Sequence, residues 1–266
     1  MSVAALSPYT VNAYNSSKDS ENKIHDDDVA SRFGFRGGLV PGVDVYAYMT
    51  HLPVARWGRA WLERGRATCR FQKPVYDGED ATVTARQTAN GLDVRVESRG
   101  ELCATGEASL SGTPPTPPDL GDGVPPLPAA TRVPADETSL APGTLLGMKP
   151  LRVTADVAAR YLADLRETDP LYVRDGVIHP GLILRTCNWA LMHNVVLGPW
   201  IHVGSTVQHV AAAHVGDEVS LRVRVTANYE RKGHRFVELD AVVVSNARTP
   251  IAHITHTAIY RPRQLA

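Results

Sequence analysis

The stretch Gly38-Leu-Val-Pro-Gly-Val-Asp-Val-Tyr-Ala-Tyr-Met49 has a counterpart later in the chain, Val177-Ile-His-Pro-Gly-Leu-Ile-Leu-Arg-Thr-Cys-Asn188. In each stretch a Pro-Gly step, ending at Gly42 and at Gly181, leads into an apolar run. These two glycines are 139 residues apart (181 − 42). A proline followed by glycine at the start of an apolar run is compatible with the beginning of a helix.

A second pair of landmarks repeats at almost the same distance. The turn Val75-Tyr-Asp-Gly-Glu-Asp80 corresponds to His214-Val-Gly-Asp-Glu218, and their glycines are 138 residues apart (216 − 78). Two independent landmarks that share nearly one offset indicate a duplicated unit. The sequence therefore predicts an N-terminal unit over residues 1–111 and a C-terminal unit over residues 151–266.

The segment between the two units is rich in proline. Residues 112–150 contain 10 of the 19 prolines of the chain. Proline cannot continue a helix or donate to an interior strand ladder. We therefore expect an extended and fairly stiff linker in this segment.

Each unit is expected to consist of one long helix and several strands. The helices predicted from Gly42 to Arg56 and from Gly181 to Val196 are apolar on more than one side, which is typical of a helix that is wrapped by other elements. Alternating segments such as Leu92–Glu97 predict strands. The fold class is therefore α+β, with a long helix enclosed by a curled antiparallel sheet, made twice.

Composition argues against several classes of protein. Lys and Arg number 28, as do Asp and Glu, so no net field favours nucleic acid or an anionic membrane. The three cysteines have no disulfide or metal spacing, which predicts a reducing compartment. The first residues do not resemble a signal peptide, and no apolar run reaches the roughly 18 residues of a membrane span. We expect a cytoplasmic protein that binds neither nucleic acid nor membrane.

The ten histidines do not predict a metal site. His253 and His256 are three residues apart on a predicted strand, so their side chains are expected on opposite faces. His202, His209 and His214 have no Cys or carboxylate at zinc-site spacing. Motifs typical of serine hydrolases, P-loop proteins and dinucleotide-binding domains are missing from the sequence.

The order of several short motifs resembles the MaoC-like dehydratase family, which includes the R-specific enoyl-CoA hydratases. The motifs of the first unit are Asn22-Lys-Ile-His25, Phe33-Gly34, Gly38-Leu-Val-Pro-Gly42 and Phe71-Gln-Lys-Pro-Val-Tyr-Asp-Gly-Glu-Asp80. A weaker second copy consists of Glu167-Thr-Asp-Pro-Leu-Tyr172, His179-Pro-Gly181 and Gly216-Asp217.

The resemblance implies a double hotdog fold and an enzyme of fatty acid metabolism, a lyase that adds or removes water at a 2-enoyl or 3-hydroxyacyl thioester. It implies acyl-CoA or a similar thioester as the partner, with coenzyme A as part of the substrate and no separate cofactor. The resemblance is compatible with a homodimer. A thioesterase is the main alternative activity, because the two chemistries occur on the same scaffold.

The resemblance also assigns roles to residues. The family uses an Asp and a His five residues apart as general base and acid. Here His25 occupies the His position, whereas Ser20 stands where the family has Asp, with Glu21 beside it. In the second copy Glu167 occupies the acid position and Tyr172 the His position.

The resemblance also implies that the backbone N–H groups of Gly42 and Gly181 donate hydrogen bonds to the thioester oxygen and stabilise its negative charge. They can do so because an N–H at a helix start lacks a helical partner. The remaining candidates, all for substrate binding, are Asn22, Val40, Asp169 and His179.

Neither unit carries the complete pair, and three interpretations remain. Glu21 or Asp19 takes the role of the acid on a shifted loop, or His25 and Glu167 serve in separate modified sites. In the third, the protein only binds an acyl thioester.

Overall fold

The computed structural model describes residues 6–120 and 126–263. Its helices are α1 (Asp27–Ser31), α2 (Gly42–Trp57), α3 (Arg59–Arg64), α4 (Ala155–Leu165), α5 (Leu171–Asp175) and α6 (Pro180–Asn194), with a 3-10 turn at Lys23–His25. The strands of the first half are β1 (Tyr9–Asn12), β2 (Gly65–Phe71), β3 (Asp80–Gln87), β4 (Leu92–Ser98) and β5 (Glu101–Leu110).

The remaining strands are β6 (Val133–Pro134), β7 (Leu145–Leu146), β8 (Leu151–Arg152), β9 (Val195–Val196), β10 (Ile201–His209), β11 (Glu218–Arg231), β12 (His234–Ser245) and β13 (Thr249–Arg261). Over the described residues, eleven strands form one sheet in the order β1-β3-β4-β5-β2-β10-β13-β12-β11-β7, with β8 also paired to β11. The two units join where β2 pairs antiparallel with β10, with Cys69 opposite Ser205.

Each unit wraps its sheet around its long helix. Strands β3, β4 and β5 contact α2, whereas β11, β12 and β13 contact α6, and the two helices also contact each other. Eleven residues of α2 and ten of α6 are buried, so both helices are enclosed on several sides. The predicted architecture, a long helix wrapped by a curled antiparallel sheet and made twice, is confirmed.

Backbone details repeat with the spacing seen in the sequence. The isolated bridge between Leu39 and Tyr76 recurs between Val177 and His214, 138 residues later at both ends. The turn glycines at 78 and 216 both have positive φ, at 73° and 100°. Only glycine adopts this conformation without steric cost, which explains why these turns kept the residue in both copies.

The proline-rich segment packs onto the second unit along much of its described length. Val133–Pro134 pairs in parallel with Val195–Val196, and Leu145–Leu146 pairs with β11. The side chains of Leu140 and Met148 are buried. This pairing also ends α6 at Asn194, two residues before the predicted end, because the β-branched pair that follows is taken up as a strand.

Cys69, Cys103 and Cys187 are all buried free thiols. Among the described residues, no group of three or more His, Cys, Asp or Glu side chains is arranged to hold a metal ion. In the same residues, no helix combines the length and apolar character needed to cross a membrane.

Candidate functional site

A cavity of about 280 Å³ lies at the start of α2 and is lined by both units. Its walls are mostly apolar, formed by side chains that include Leu39, Val40, Val45, Phe71, Trp200 and Ile259. Several polar groups also line it: Asn22, His25, Gln72, Lys73, Asn188, His202 and His234, together with the glycine at 42. A largely apolar cleft with a few polar groups is the usual form of a small-molecule site.

His25 sits at the end of the 3-10 turn that leads into α1. Its Nδ1 lies 2.6 Å from the carbonyl oxygen of Leu39. A carbonyl only accepts, so Nδ1 carries the hydrogen and Nε2 is left as an acceptor. Burial lowers the pKa of His25 below its ordinary value of 6.5, although the bond to Leu39 opposes that shift. The imidazole is therefore neutral at neutral pH, and Nε2 has a lone pair that can accept a hydrogen bond or a proton.

Asn22 fixes the loop that carries His25. Its Oδ1 accepts from the backbone N–H of Trp200 at 3.1 Å, and its Nδ2 donates to the Trp200 carbonyl at 3.0 Å. The same Nδ2 lies 3.3 Å from Nε2 of His25. Because Trp200 belongs to the second unit, the position of His25 depends on contacts across the duplication.

The N–H of Gly42 has no acceptor among the described residues. It begins a helix of 16 residues, where the macrodipole favours negative charge. A Cβ on Gly42 would lie 2.9 Å from Nδ1 of His202, closer than real contacts allow. The glycine is thus required for close packing, and its N–H is available to a ligand.

The corresponding helix start in the second unit is closed. The N–H of Gly181 donates to Nδ1 of His179 at 3.0 Å. The resemblance implied a free N–H at this position, and the structure shows a bonded one. A Cβ on this glycine would lie 2.5 Å from the hydroxyl of Tyr161 and 2.6 Å from Cβ of Ala47. The nearby cavity that includes Pro180 has a volume of only about 10 Å³.

Glu167 lies in a hydrogen-bond network beside this closed start. Its side chain is 3% exposed. One oxygen accepts from His51 at 2.8 Å and from the N–H groups of residues 168 and 169 at 2.7 and 2.8 Å, while the other lies 3.5 Å from Nε2 of His179. Burial raises the pKa of Glu167, but the hydrogen bonds from His179 and His51 outweigh it and hold the pKa well below 4.5. A carboxylate with so low a pKa is a weak base.

Tyr172 and Asp169 lie with Glu167 and His179 beside the start of α6, and we call this group, together with Gly181, the closed cluster. The hydroxyl of Tyr172 is buried and has no partner among the described residues, and its ring lies 4.6 Å from that of His179. Asp169 accepts a hydrogen bond from the N–H of Leu171 at 2.9 Å, which is a local turn contact.

Ser20 and Glu21 do not line the cavity at Gly42. The hydroxyl of Ser20 bonds the carbonyl of Asn22 at 3.3 Å. The side chain of Glu21 is 68% exposed and pairs with Arg132 at 2.6 Å. Of the sequence candidates, the structure brings together His25, Asn22, Val40 and Gly42 at the open cavity, and it gathers Glu167, Asp169, Tyr172, His179 and Gly181 in the closed cluster.

None of the cavity residues from the second unit was predicted, and Asn188 and His202 are two that have a buried polar atom without a partner among the described residues. Asn188 projects from α6, and its Oδ1 is buried without a partner among the described residues. His202 comes from β10 and packs against Gly42. A signal for Asn188 existed in the sequence, since a polar amide interrupts an otherwise wrapped apolar helix; His202 had no comparable signal.

A buried ion pair connects the two helix starts. Asp44, in the first turn of α2, is 1% exposed and pairs with Arg185 of α6. Its second oxygen accepts from the hydroxyl of Ser16 at 2.6 Å. The guanidinium also lies over the ring of Tyr161 at 5.3 Å. This network holds the two helices in register beside the cavity.

No family model and no curated protein matches the sequence. Several solved structures match its fold. A conserved hypothetical protein from Mycobacterium tuberculosis, described as having a double hotdog fold, has a TM-score of 0.63 and 15% identity over 97% of this chain and 96% of its own. A MaoC domain protein dehydratase from Chloroflexus aurantiacus has a TM-score of 0.56 and 13% identity over 97% and 94%.

The dehydratase domain of RzxB from Pseudomonas fluorescens also matches, with a TM-score of 0.56 and 10% identity over 94% of this chain and 93% of its own. At such low identity these matches define the fold. The chain has the double hotdog fold, and its structural neighbours include MaoC-like dehydratases.

Proposed function

We propose that the cavity at Gly42 binds an acyl thioester such as acyl-CoA and adds or removes water across the bond between carbons 2 and 3. One observation carries this proposal: a neutral imidazole with no hydrogen on Nε2 and a helix N–H that has no acceptor among the described residues line the same apolar cavity. The N–H can stabilise charge on a carbonyl oxygen, and the imidazole can move a proton next to that carbonyl.

In the dehydration direction, Nε2 of His25 takes a proton from carbon 2. The electrons of the broken C–H bond move onto the thioester oxygen, whose negative charge is stabilised by the N–H of Gly42. These electrons then form the double bond as the bond from carbon 3 to its hydroxyl breaks. The proton held on His25 passes to the departing oxygen, which leaves as water, and His25 is neutral again.

This sequence of steps needs one proton-transfer residue, because the proton removed from carbon 2 is the one the leaving hydroxide requires. That fits a cavity whose described wall contains no Asp or Glu. The position of the family's Asp is occupied by Ser20, which does not line this cavity. The amide of Asn188, facing the cavity from α6, is placed to orient the water or the hydroxyl.

The volume of the cavity supports a short acyl chain. Pockets for small ligands usually measure about 300–1,000 Å³, and this one, at about 280 Å³, is just below that range. Apolar side chains form most of its wall, which suits a hydrocarbon chain.

The experiment is to incubate the protein with crotonyl-CoA and to follow the loss of the absorbance of the conjugated enoyl thioester. Hydration is expected, together with formation of 3-hydroxybutyryl-CoA. In parallel, release of free thiol from butyryl-CoA is measured. Thiol release without hydration would replace the proposal with a thioesterase activity.

A binding protein without turnover is the second candidate, and the lack of a carboxylate in the described cavity wall favours it. Butyryl-CoA would then bind with a measurable affinity while neither product forms. Calorimetric titration beside the two activity assays separates this outcome from the hydratase proposal.

A further inference from the structure

Three buried polar side chains form a chain that reaches the cavity from the second unit. Nε2 of His202 lies 2.8 Å from the hydroxyl oxygen of Ser205, which lies 3.0 Å from Nδ1 of His256. The two imidazole rings are stacked with centroids 4.2 Å apart. His202 lines the cavity, whereas His256 has no exposed surface.

Each end of this chain has an unused nitrogen. Nδ1 of His202 and Nε2 of His256 are buried and have no hydrogen-bond partner among the described residues. Nδ1 of His202 is the ring atom nearest to the position a Cβ on Gly42 would take, at 2.9 Å. An unsatisfied polar atom therefore lies beside the helix start that carries the free N–H.

The number of hydrogens shared by His202, Ser205 and His256 determines whether Nδ1 of His202 is a donor or an acceptor. Burial lowers the pKa of both histidines, that of His256 to about 3, so both rings are neutral and each has one N–H. The serine hydroxyl has a single hydrogen and can donate to only one of them. If it donates to His256, Nδ1 of His202 is bare; if it donates to His202, Nδ1 of His202 carries an N–H.

Burial favours the second arrangement. In the first, the orphan N–H is on Nε2 of His256, which is sealed in the core with no acceptor. In the second, the orphan N–H is on Nδ1 of His202, which is buried beside Gly42, and both residues line the cavity. A buried N–H without an acceptor is costly, so the hydrogen belongs on the side where an acceptor can arrive.

We propose that Nδ1–H of His202 is a second hydrogen-bond donor to the carbonyl oxygen of the ligand, beside the N–H of Gly42. Ser205 and His256 are positioning residues that keep this hydrogen on Nδ1. The identity of the ligand as a thioester rests on the proposed function, but the donor itself does not. Two donors on one carbonyl oxygen stabilise its negative charge more than one donor does.

The first test needs no ligand. Histidine labelled with 15N is incorporated, and long-range proton–nitrogen spectra distinguish protonated from bare ring nitrogens. The expected result is a protonated Nδ1 and a bare Nε2 for His202, with His256 protonated on Nδ1. A His202 resonance with the opposite pattern would overturn the proposal. Ser205→Ala, a small change that preserves packing, is expected to remove this preference.

The second test compares butyryl-CoA with S-butyl-CoA, a thioether that lacks the carbonyl oxygen. Affinities are measured by calorimetry for the unchanged protein and for His202→Phe, which keeps a ring but has no donor. We expect affinity for the thioester to fall about tenfold, the size of one hydrogen bond to a buried partner, and affinity for the thioether to change less than twofold. His253→Phe is the matched control, because His253 is on β13 but pairs with Asp240 outside the cavity.

Equal losses for both ligands, or no loss for either, would refute the role of His202. No binding of butyryl-CoA to the unchanged protein would refute the proposed thioester ligand, and the nitrogen spectra would then decide whether Nδ1 of His202 is a donor. If His202→Phe does not fold, the same pair of ligands is compared with Ser205→Ala, for which a smaller but still thioester-selective loss is expected. The hydratase proposal fails separately: a protein that binds butyryl-CoA through His202 but does not hydrate crotonyl-CoA would refute the proposed reaction and keep the donor.

Discussion

The two long helices begin with the same Pro-Gly step but have different surroundings. At Gly42 the N–H has no acceptor among the described residues, and the glycine lines a cavity of about 280 Å³. At Gly181 the N–H is donated to His179, and the pocket lined by the neighbouring Pro180 measures only about 10 Å³. Duplication thus produced two equivalent positions, of which one became a candidate site and the other became part of the core.

The side chains that fill the second position explain the difference. The hydroxyl of Tyr161, the Cβ of Ala47 and the ring of His179 occupy the space around Gly181. One carboxylate oxygen of Glu167 lies 3.5 Å from Nε2 of His179, and the other accepts hydrogen bonds from two backbone N–H groups. Such a network is costly to disturb because each buried group depends on its partner. The closed start contributes stability and the open start can bind a ligand.

The largest expected effect in this comparison comes from His25→Ala at the open start. Loss of the only imidazole nitrogen assigned to proton transfer should reduce the rate of crotonyl-CoA hydration by about 10²–10⁴-fold. The thermal midpoint should change little. His253→Ala, which removes a half-exposed imidazole of β13 outside the cavity, is the control. Equal activities of the two variants would contradict the role of His25.

The next effect concerns the ion pair that joins the two helix starts. Arg185→Met leaves the carboxylate of Asp44 buried without its partner and should lower the free energy of unfolding by about 3–5 kcal/mol. Urea denaturation measures this loss. Adding Asp44→Asn to the same chain should recover part of the stability, because it removes the uncompensated charge; no recovery would mean that packing of the arginine stem causes the loss.

Alanine at the two glycines separates binding from stability. Gly181→Ala places its Cβ against Tyr161 and Ala47 and should cost about 1–3 kcal/mol of stability by overpacking. Gly42→Ala displaces the ring of His202 and should mainly weaken butyryl-CoA binding. Calorimetry and thermal unfolding are measured on both variants, and a similar pattern in the two would show that the helix starts are not functionally distinct.

The smallest effect depends on pH. Because the folded pKa of Glu167 lies below its ordinary 4.5, the carboxylate contributes stability above that pH and loses the contribution as the pH falls below it. Glu167→Gln should therefore be less stable by about 1 kcal/mol at neutral pH. The difference from the unchanged protein should shrink below pH 4.5. A difference that grows on acidification would contradict the assigned hydrogen bonds.

Much of the site at Gly42 could be predicted from local sequence. The Pro-Gly step specified the helix start, and the spacing of His25 from it followed the family pattern. The alternation of apolar residues specified the strands. What could not be predicted was which of two similar motifs would keep an open space, because that depends on side chains more than 100 residues away, such as Ala47 against Gly181.

The sequence by itself determined that the chain is a duplicated unit with one wrapped helix in each copy, because period, turn glycines and apolar patterning are local properties. Only the tertiary structure decided that Glu167 is a buried, hydrogen-bonded carboxylate, that Glu21 faces solvent, and that His202 reaches the cavity. Those outcomes depend on the pairing of β2 with β10 and the contact of α2 with α6, which bring together residues whose separation in the chain conceals their proximity.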